Sequence, residues 1–279
     1  MAVQEEPRKA VFVHIEKTAG TSVRYAVESA VGPEHVFIYS PETDRLVRSS
    51  DNLMPATTPF LDRLRQAFGN PVFGPILVNF WPMVSGLYRE RIRRKYPRLE
   101  IPEDAKVLFG HFAADRFDHL LPEEPIRAAV LREPFERMRS HYDHWRRSKG
   151  YEDWRVRVPF NPQMTFQQFA MLPEMQNYQA QALAGKDLNA FNIVGTSENI
   201  EEFTETLLRK LAQAGLTLPG QERDFEQRRL NITPEGRRTR AEILDANFLQ
   251  RFREFHTLDY ALYHQARLIQ ENRIQTSNN

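Results

Sequence analysis

Ala10-Val11-Phe12-Val13-His14-Ile15 runs directly into Glu16-Lys17-Thr18-Ala19-Gly20-Thr21-Ser22, and this junction decides the fold. The first six residues form an apolar, β-branched run of the kind that makes a buried strand, and it stops abruptly at Glu16. The residues after Lys17 are small and rich in hydroxyls. Beyond them Val23, Ala26, Val27, Ala30 and Val31 recur on one face of a helix that Gly32-Pro33 ends. The opening unit is therefore strand, tight loop, helix. A loop of this composition, with a lysine beside a helix N-terminus, suits an anion, because backbone N–H groups and the helix dipole both favour negative charge there. The same composition fits an ordinary strand-to-helix connection with an exposed lysine. It is not a Walker A loop, since Lys17 precedes Gly20 and the first glycine of that pattern is missing.

Working outward, two further strands are expected at Lys106-Val107-Leu108-Phe109, ending in Gly110-His111, and at Ile126 to Leu131, ending in Arg132. Phe135, Met138, Tyr142 and Trp145 then share one face of a helix that Pro134 starts. Phe191 to Gly195 reads as a fourth strand, followed by a helix capped by Ser197, acidic in its first turn, with Ile200, Phe203, Leu207 and Leu211 inward. The C-terminal third reads as helical, with Ile243, Leu244, Phe248, Phe252 and Phe255 buried and a frayed tail from about residue 270. Residues from about 40 to 105 lack regular patterning and read as an insertion with short helices. Strands alternating with helices imply an α/β fold with a mainly parallel central sheet flanked by helices, one domain over residues 1–279 plus a helical C-terminal region.

Composition narrows the function. With 279 residues and 41% hydrophobic composition the chain can bury a real core, and a net charge of +1 argues against a protein that coats nucleic acid through bulk charge. No apolar run approaches the roughly 20 residues that span a bilayer, and the first residues lack a signal-peptide layout, so a cytoplasmic protein is expected. The absence of cysteine excludes disulfides, thiolate catalysis and Cys-ligated metal centres. His141 and His144 lie one helical turn apart without a third ligand at suitable spacing, so no metal site is expected.

In Val130-Leu131-Arg132-Glu133-Pro134 an arginine leaves a strand end, and Ser140 follows two helical turns later. In a parallel sheet Arg132 emerges at the same carboxyl edge as Lys17. A P-loop kinase would usually offer an aspartate there for Mg²⁺, whereas an arginine suggests direct contact with a phosphate. Arg137, Arg139, Arg146 and Arg147 read mostly as a solvated helix face.

His14 to Ser22 resembles the 5′-phosphosulfate loop of sulfotransferases related to the heparan sulfate 2-O-sulfotransferases, commonly H-I-P-K-T-G-G-T-S. Leu131 to Arg137, with Ser140-His141-Tyr142, resembles their 3′-phosphate element, L-R-D-P-x-E-R followed by S-x-Y. Gly110-His111-Phe112 is similar to the family's G-H motif, and Asn192 to Glu198 to its V-G-x-T/S-E segment. The resemblance implies a P-loop-like fold and an O-sulfotransferase that takes a sulfuryl group from 3′-phosphoadenosine 5′-phosphosulfate (PAPS) and releases adenosine 3′,5′-bisphosphate. By position, Lys17 would stabilise the bridging oxygen as the S–O bond breaks. Thr18, Ala19, Gly20, Thr21 and Ser22 would hold the 5′-phosphate, and Arg132 and Ser140 the 3′-phosphate.

The acceptor hydroxyl needs a base, and His111, just beyond a strand on the ligand edge, is the candidate. Glu16 stands where the family usually has proline, and either pairs with Lys17 or serves as a second base. His14 reads as a packed strand histidine. Sulfuryl transfer lacks the charge that makes phosphoryl transfer lean on Mg²⁺, so no metal is required. The acceptor is expected to be a carbohydrate, glycoconjugate or small metabolite, in a bacterial setting. Arg89 to Lys95, Arg228-Arg229 and Arg237-Arg238 are either steering groups for an anionic acceptor or solvated faces, and the family often closes a C-terminal basic loop over the donor. A P-loop kinase and a non-catalytic nucleotide- or glycan-binding module are the competing classes.

Overall fold

The computed structural model describes residues 8–41, 43–51, 90, 94–121, 124–148, 161, 163–218 and 246–277. Six strands form one sheet: β1 (Ala10–Val13), β2 (Val36–Ser40), β3 (Arg45–Arg48), β4 (Val107–Gly110), β5 (Ile126–Leu131) and β6 (Ile193–Thr196), in the spatial order β3-β2-β4-β1-β5-β6. All neighbours are parallel except the β2–β3 hairpin. Strand β1 is central, with Val13 opposite Gly110 of β4 on one side and Ala129 of β5 on the other. Every residue of β1, β4, β5 and β6 is buried, as expected where helices cover both faces of a parallel sheet.

Seven helices of five residues or more accompany the strands among the described residues: α1 (Gly20–Val31), α2 (Pro134–Ser148), α3 (Phe166–Ala170), α4 (Tyr178–Ala182), α5 (Ile200–Gln213), α6 (Ala246–Phe255) and α7 (Thr257–Ser277). Alternation along β1 sorts the two layers. Ala10 and Phe12 face Val23, Val27 and Ala30 of α1 and Phe203, Leu207 and Leu211 of α5. Phe12 stacks on Phe109 with ring centroids 4.5 Å apart and takes the edge of Phe203 at 6.0 Å. Val11, Val13 and Ile15 face the opposite way, toward Met138, Tyr142 and Trp145 of α2, Phe169 of α3, Tyr178 of α4 and Phe252 of α6.

The four strands expected from the sequence are present, and Pro134 opens α2. Three details differ. The stretch read as an insertion begins beside β2 and contains β3, which complete one flank of the sheet; residues 52–89 lie outside the described set. Ser197 opens a short 3-10 turn (Ser197–Asn199), and α5 starts after Asn199 with Glu201 and Glu202 in its first turn. The fraying expected from about residue 270 is not seen: α7 continues to Ser277, with Gln270 fully buried. Ile243 and Leu244 lie outside the described residues, Phe248 and Phe252 are buried as expected, and Phe255 is half-buried.

Gln270 explains why α7 persists. Its carbonyl accepts from the backbone N–H and hydroxyl of Thr196, at 2.8 and 3.0 Å, and its amide donates to the Asn199 carbonyl and to Glu202. One turn on, Arg273 donates to both oxygens of Glu202 at 2.6 and 2.8 Å. The arginine and its partners hold the Glu202 carboxyl below the usual carboxylate range against the opposing effect of its burial. Among the described residues, no helix is long and apolar enough to cross a membrane.

Replacing Gln270 by leucine leaves the end of β6 and the first turn of α5 without this partner. Urea denaturation should show a loss of about 2–3 kcal/mol, the scale of stranding buried polar groups.

Candidate functional site

Because β4, β1 and β5 are adjacent and parallel, the segments that leave them emerge together at one edge. His111 leaves β4, residues 14–19 leave β1, and Arg132 leaves β5. The β1 segment is held in an unusual conformation. Lys17 and Ala19 have φ angles of 70° and 69°, in the left-handed region, with Thr18 between them outside it. Such alternation turns successive N–H groups to one side, as in an anion-binding nest. The Thr18 hydroxyl donates to the Ile15 carbonyl at 2.9 Å, so the buried threonine uses its proton inside the loop. Helix α1 then begins with no side-chain cap and no acidic residue in its first turn, so the positive end of its dipole faces this edge uncompensated by either device. The neighbouring helix differs: Glu133 accepts from the Glu136 N–H at 2.7 Å and caps α2.

Gly20 is fixed by contact rather than by dihedral angle. A Cβ at this position would lie 2.0 Å from Cδ2 and 2.1 Å from Nε2 of His14. The His14 ring in turn stacks on His111 with centroids 4.2 Å apart. His14 thus sits just past the strand, half-buried and inside the site, rather than packed within β1.

His111 is oriented by atoms that can only accept from it. Its Nδ1 lies 2.7 Å from the His14 carbonyl and 3.3 Å from Oε1 of Glu16. A carbonyl cannot donate, so Nδ1 carries the proton, and in the neutral ring Nε2 is the bare nitrogen. Nε2 makes no hydrogen bond among the described residues. Glu16, the departure from the family pattern, pairs with His111 and also accepts from the Tyr178 hydroxyl at 2.7 Å.

Arg132 meets the loop from the other side. Its Nη1 donates to the Lys17 carbonyl at 3.2 Å. Its own peptide groups are clamped by the Gln179 amide, which accepts from the Arg132 N–H and donates to the Arg132 carbonyl, both at 2.9 Å. Ser140 is half-buried on α2 and makes no hydrogen bond among the described residues. Lys17, Glu16, His111 and Arg132 are therefore brought together, with Thr18 to Ser22 beside them, whereas Ser140 is linked to Arg132 only through the first turns of α2.

Sequence patterning did not reveal the support for these groups. Tyr178 and Gln179 open α4, and Asp259 of α7 accepts from the N–H groups of Gln179 and Ala180 at 3.2 and 2.9 Å. Asn177 returns the favour, accepting from the N–H groups of Leu258 and Asp259 at 3.0 and 3.4 Å. Two helix starts thus cap one another. Burial pushes the Asp259 carboxyl up, opposed by Arg137 and the two N–H donors. Arg137, read as part of a solvated face, is fully buried: its guanidinium lies 4.6 Å from the Tyr178 ring centroid and 3.3 Å from Nδ1 of His141. Its helix position is polar by pattern, but the Tyr178 ring face and the Asp259 carboxyl give the guanidinium partners inside the fold. His256 donates from Nε2 to the Ala170 carbonyl and accepts at Nδ1 from Asn177, and burial lowers its pKa to about 4.

Among the described residues, no group of three His, Cys, Asp or Glu side chains is placed to hold a metal ion. Arg228-Arg229 and Arg237-Arg238 lie outside the described residues, as does Arg89 with most of its basic run. No protein-family model matches this chain, and no curated protein matches it either.

Two outcomes follow. Ala19→Gly removes a left-handed alanine and should raise unfolding stability by about 1 kcal/mol, read by urea denaturation. His256 must charge to unfold in acid, so its contribution is complete above pH 6.5 and is lost as pH falls toward 4. Stability should drop by about 3 kcal/mol over that window, and His256→Asn should flatten the slope between pH 6.5 and 4.5.

Proposed function

We infer that this chain is a PAPS-dependent O-sulfotransferase with a P-loop-like nucleotide site. The observation that carries the reading is the meeting of three loops at one sheet edge. A lysine-bearing loop leads into an uncapped helix start, an arginine from the next strand reaches that loop at the Lys17 carbonyl, and a histidine from the strand on the other side keeps Nε2 available. Two cationic side chains on adjacent strand ends suit a nucleotide with separated anionic groups. An imidazole beside them suits removal of a hydroxyl proton.

On this reading His111 takes the acceptor proton at Nε2 as the acceptor oxygen attacks sulfur in line. The bond between sulfur and the bridging oxygen breaks, its electron pair stays on the 5′-phosphate, and Lys17 stabilises that growing charge. The products are the sulfate ester and adenosine 3′,5′-bisphosphate. Glu16 acts through His111, holding the ring by Nδ1 and favouring the imidazolium that forms, while Tyr178 orients the carboxylate. The α1 N-terminus and the residues from Thr18 to Ser22 receive the 5′-phosphate, and Arg132 receives the 3′-phosphate, with Ser140 as its expected second partner. A carbohydrate hydroxyl is the acceptor class that the resemblance favours.

Calorimetric titration tests the donor site without an acceptor. Adenosine 3′,5′-bisphosphate should bind without metal and more tightly than ADP or ATP with Mg²⁺, and Arg132→Ala should weaken it at least tenfold, or about 1.4 kcal/mol. Tighter binding of ATP with Mg²⁺ would replace this reading with a kinase, and binding of neither nucleotide would leave a non-enzymatic module.

A further inference from the structure

The arginine at the end of β5 is held in two very different ways. Its side chain has one hydrogen bond among the described residues, the 3.2 Å contact from Nη1 to the Lys17 carbonyl. A guanidinium carries five N–H donors, so most of its donor capacity is left for something else. Its backbone is gripped far more firmly. The β5–β6 ladder ends with Leu131 opposite Thr196, so the Arg132 peptide lies one residue past the last strand pair. The Gln179 side chain supplies what the missing rung would have supplied, an acceptor for the Arg132 N–H and a donor for its carbonyl, each at 2.9 Å. One amide therefore extends the sheet by a single residue and sets the direction in which the arginine side chain leaves it.

Gln179 is itself over-determined. It is fully buried, its backbone N–H is bonded to Asp259, and the adjacent Tyr178 is tied to Glu16. A glutamine that served only to satisfy a strand end would not need a fixed helix start behind it. We propose that Gln179 is a positioning residue that sets the preference for a 3′-phosphate by aiming Arg132 through its backbone. Gln179 does not touch the nucleotide. This rests on the sulfotransferase reading, because it takes Arg132 as the 3′-phosphate partner.

The test compares two nucleotides that differ only in that group, adenosine 3′,5′-bisphosphate and 5′-AMP, by calorimetric titration of the full chain. Gln179→Asn keeps the amide but shortens the arm by one methylene, so both bonds cannot form at once. Gln179→Leu removes both bonds at similar volume and serves as the second variant, with thermal melting to establish that each is folded. The wild-type chain should prefer the bisphosphate at least tenfold. In the variants that ratio should fall about tenfold while 5′-AMP affinity stays within twofold. If either folded variant keeps the wild-type ratio, or loses both nucleotides equally, the positioning role is overturned. If the wild-type chain itself shows no preference, the sulfotransferase reading fails first, and the role assigned to Gln179 fails with it.

Discussion

The pairing of β1 on both sides by parallel neighbours is the constraint on which everything else in this protein depends. A parallel strand cannot be reached by a tight turn, so each connection must cross a face of the sheet, and each strand must end at the same edge. Three consecutive neighbours, β4, β1 and β5, then deliver their following loops side by side. Sequence distance ceases to matter at that edge: the Lys17–Arg132 contact joins residues separated by 115 positions. The apolar character of β1 and the chemistry of the loop after it are thus parts of one requirement, since the strand that needs two buried faces is also the strand whose end must be the centre of the site.

A second layer of order comes from α4 and α7. Each of these helices begins with N–H groups that lack intrahelical partners, and each receives a side chain from the start of the other. The exchange fixes Tyr178 and Gln179, which reach the loops of β1 and β5 respectively. Around Arg137 and Asp259 burial disfavours the charged carboxylate, and Arg137 with the N–H donors of Gln179 and Ala180 opposes that effect.

Strands β1, β4, β5 and β6 were legible because a strand covered on both faces must be apolar along its whole length. Strand β2 carries a similar run, Val36-Phe37-Ile38-Tyr39, but it is confined between Gly32-Pro33 and Pro41, and β3 offers only Leu46 and Val47 between two arginines. Lys17, His111 and Arg132 were legible because they stand at strand ends beside small or helix-starting residues. Tyr178, Gln179, Asn177 and Asp259 were not, because none belongs to a periodic pattern and their partners lie far away: Tyr178 meets Glu16 across 162 positions. Arg137 was misread for a related reason, since helical periodicity marks apolar faces and cannot mark a polar face that a distant ring and carboxylate enclose.

The placement of α7 has a consequence for how the chain comes into being. Synthesis proceeds from the amino end, so all six strands are made before α7, yet the end of β6 and the start of α4 donate hydrogen bonds to Gln270 and Asp259 on that helix. While α7 is still inside the ribosome those groups have only water or transient partners. The carboxyl edge that brings the three loops together is therefore completed late, and a nascent chain halted before α7 would carry an unfinished sheet flank for chaperones to recognise.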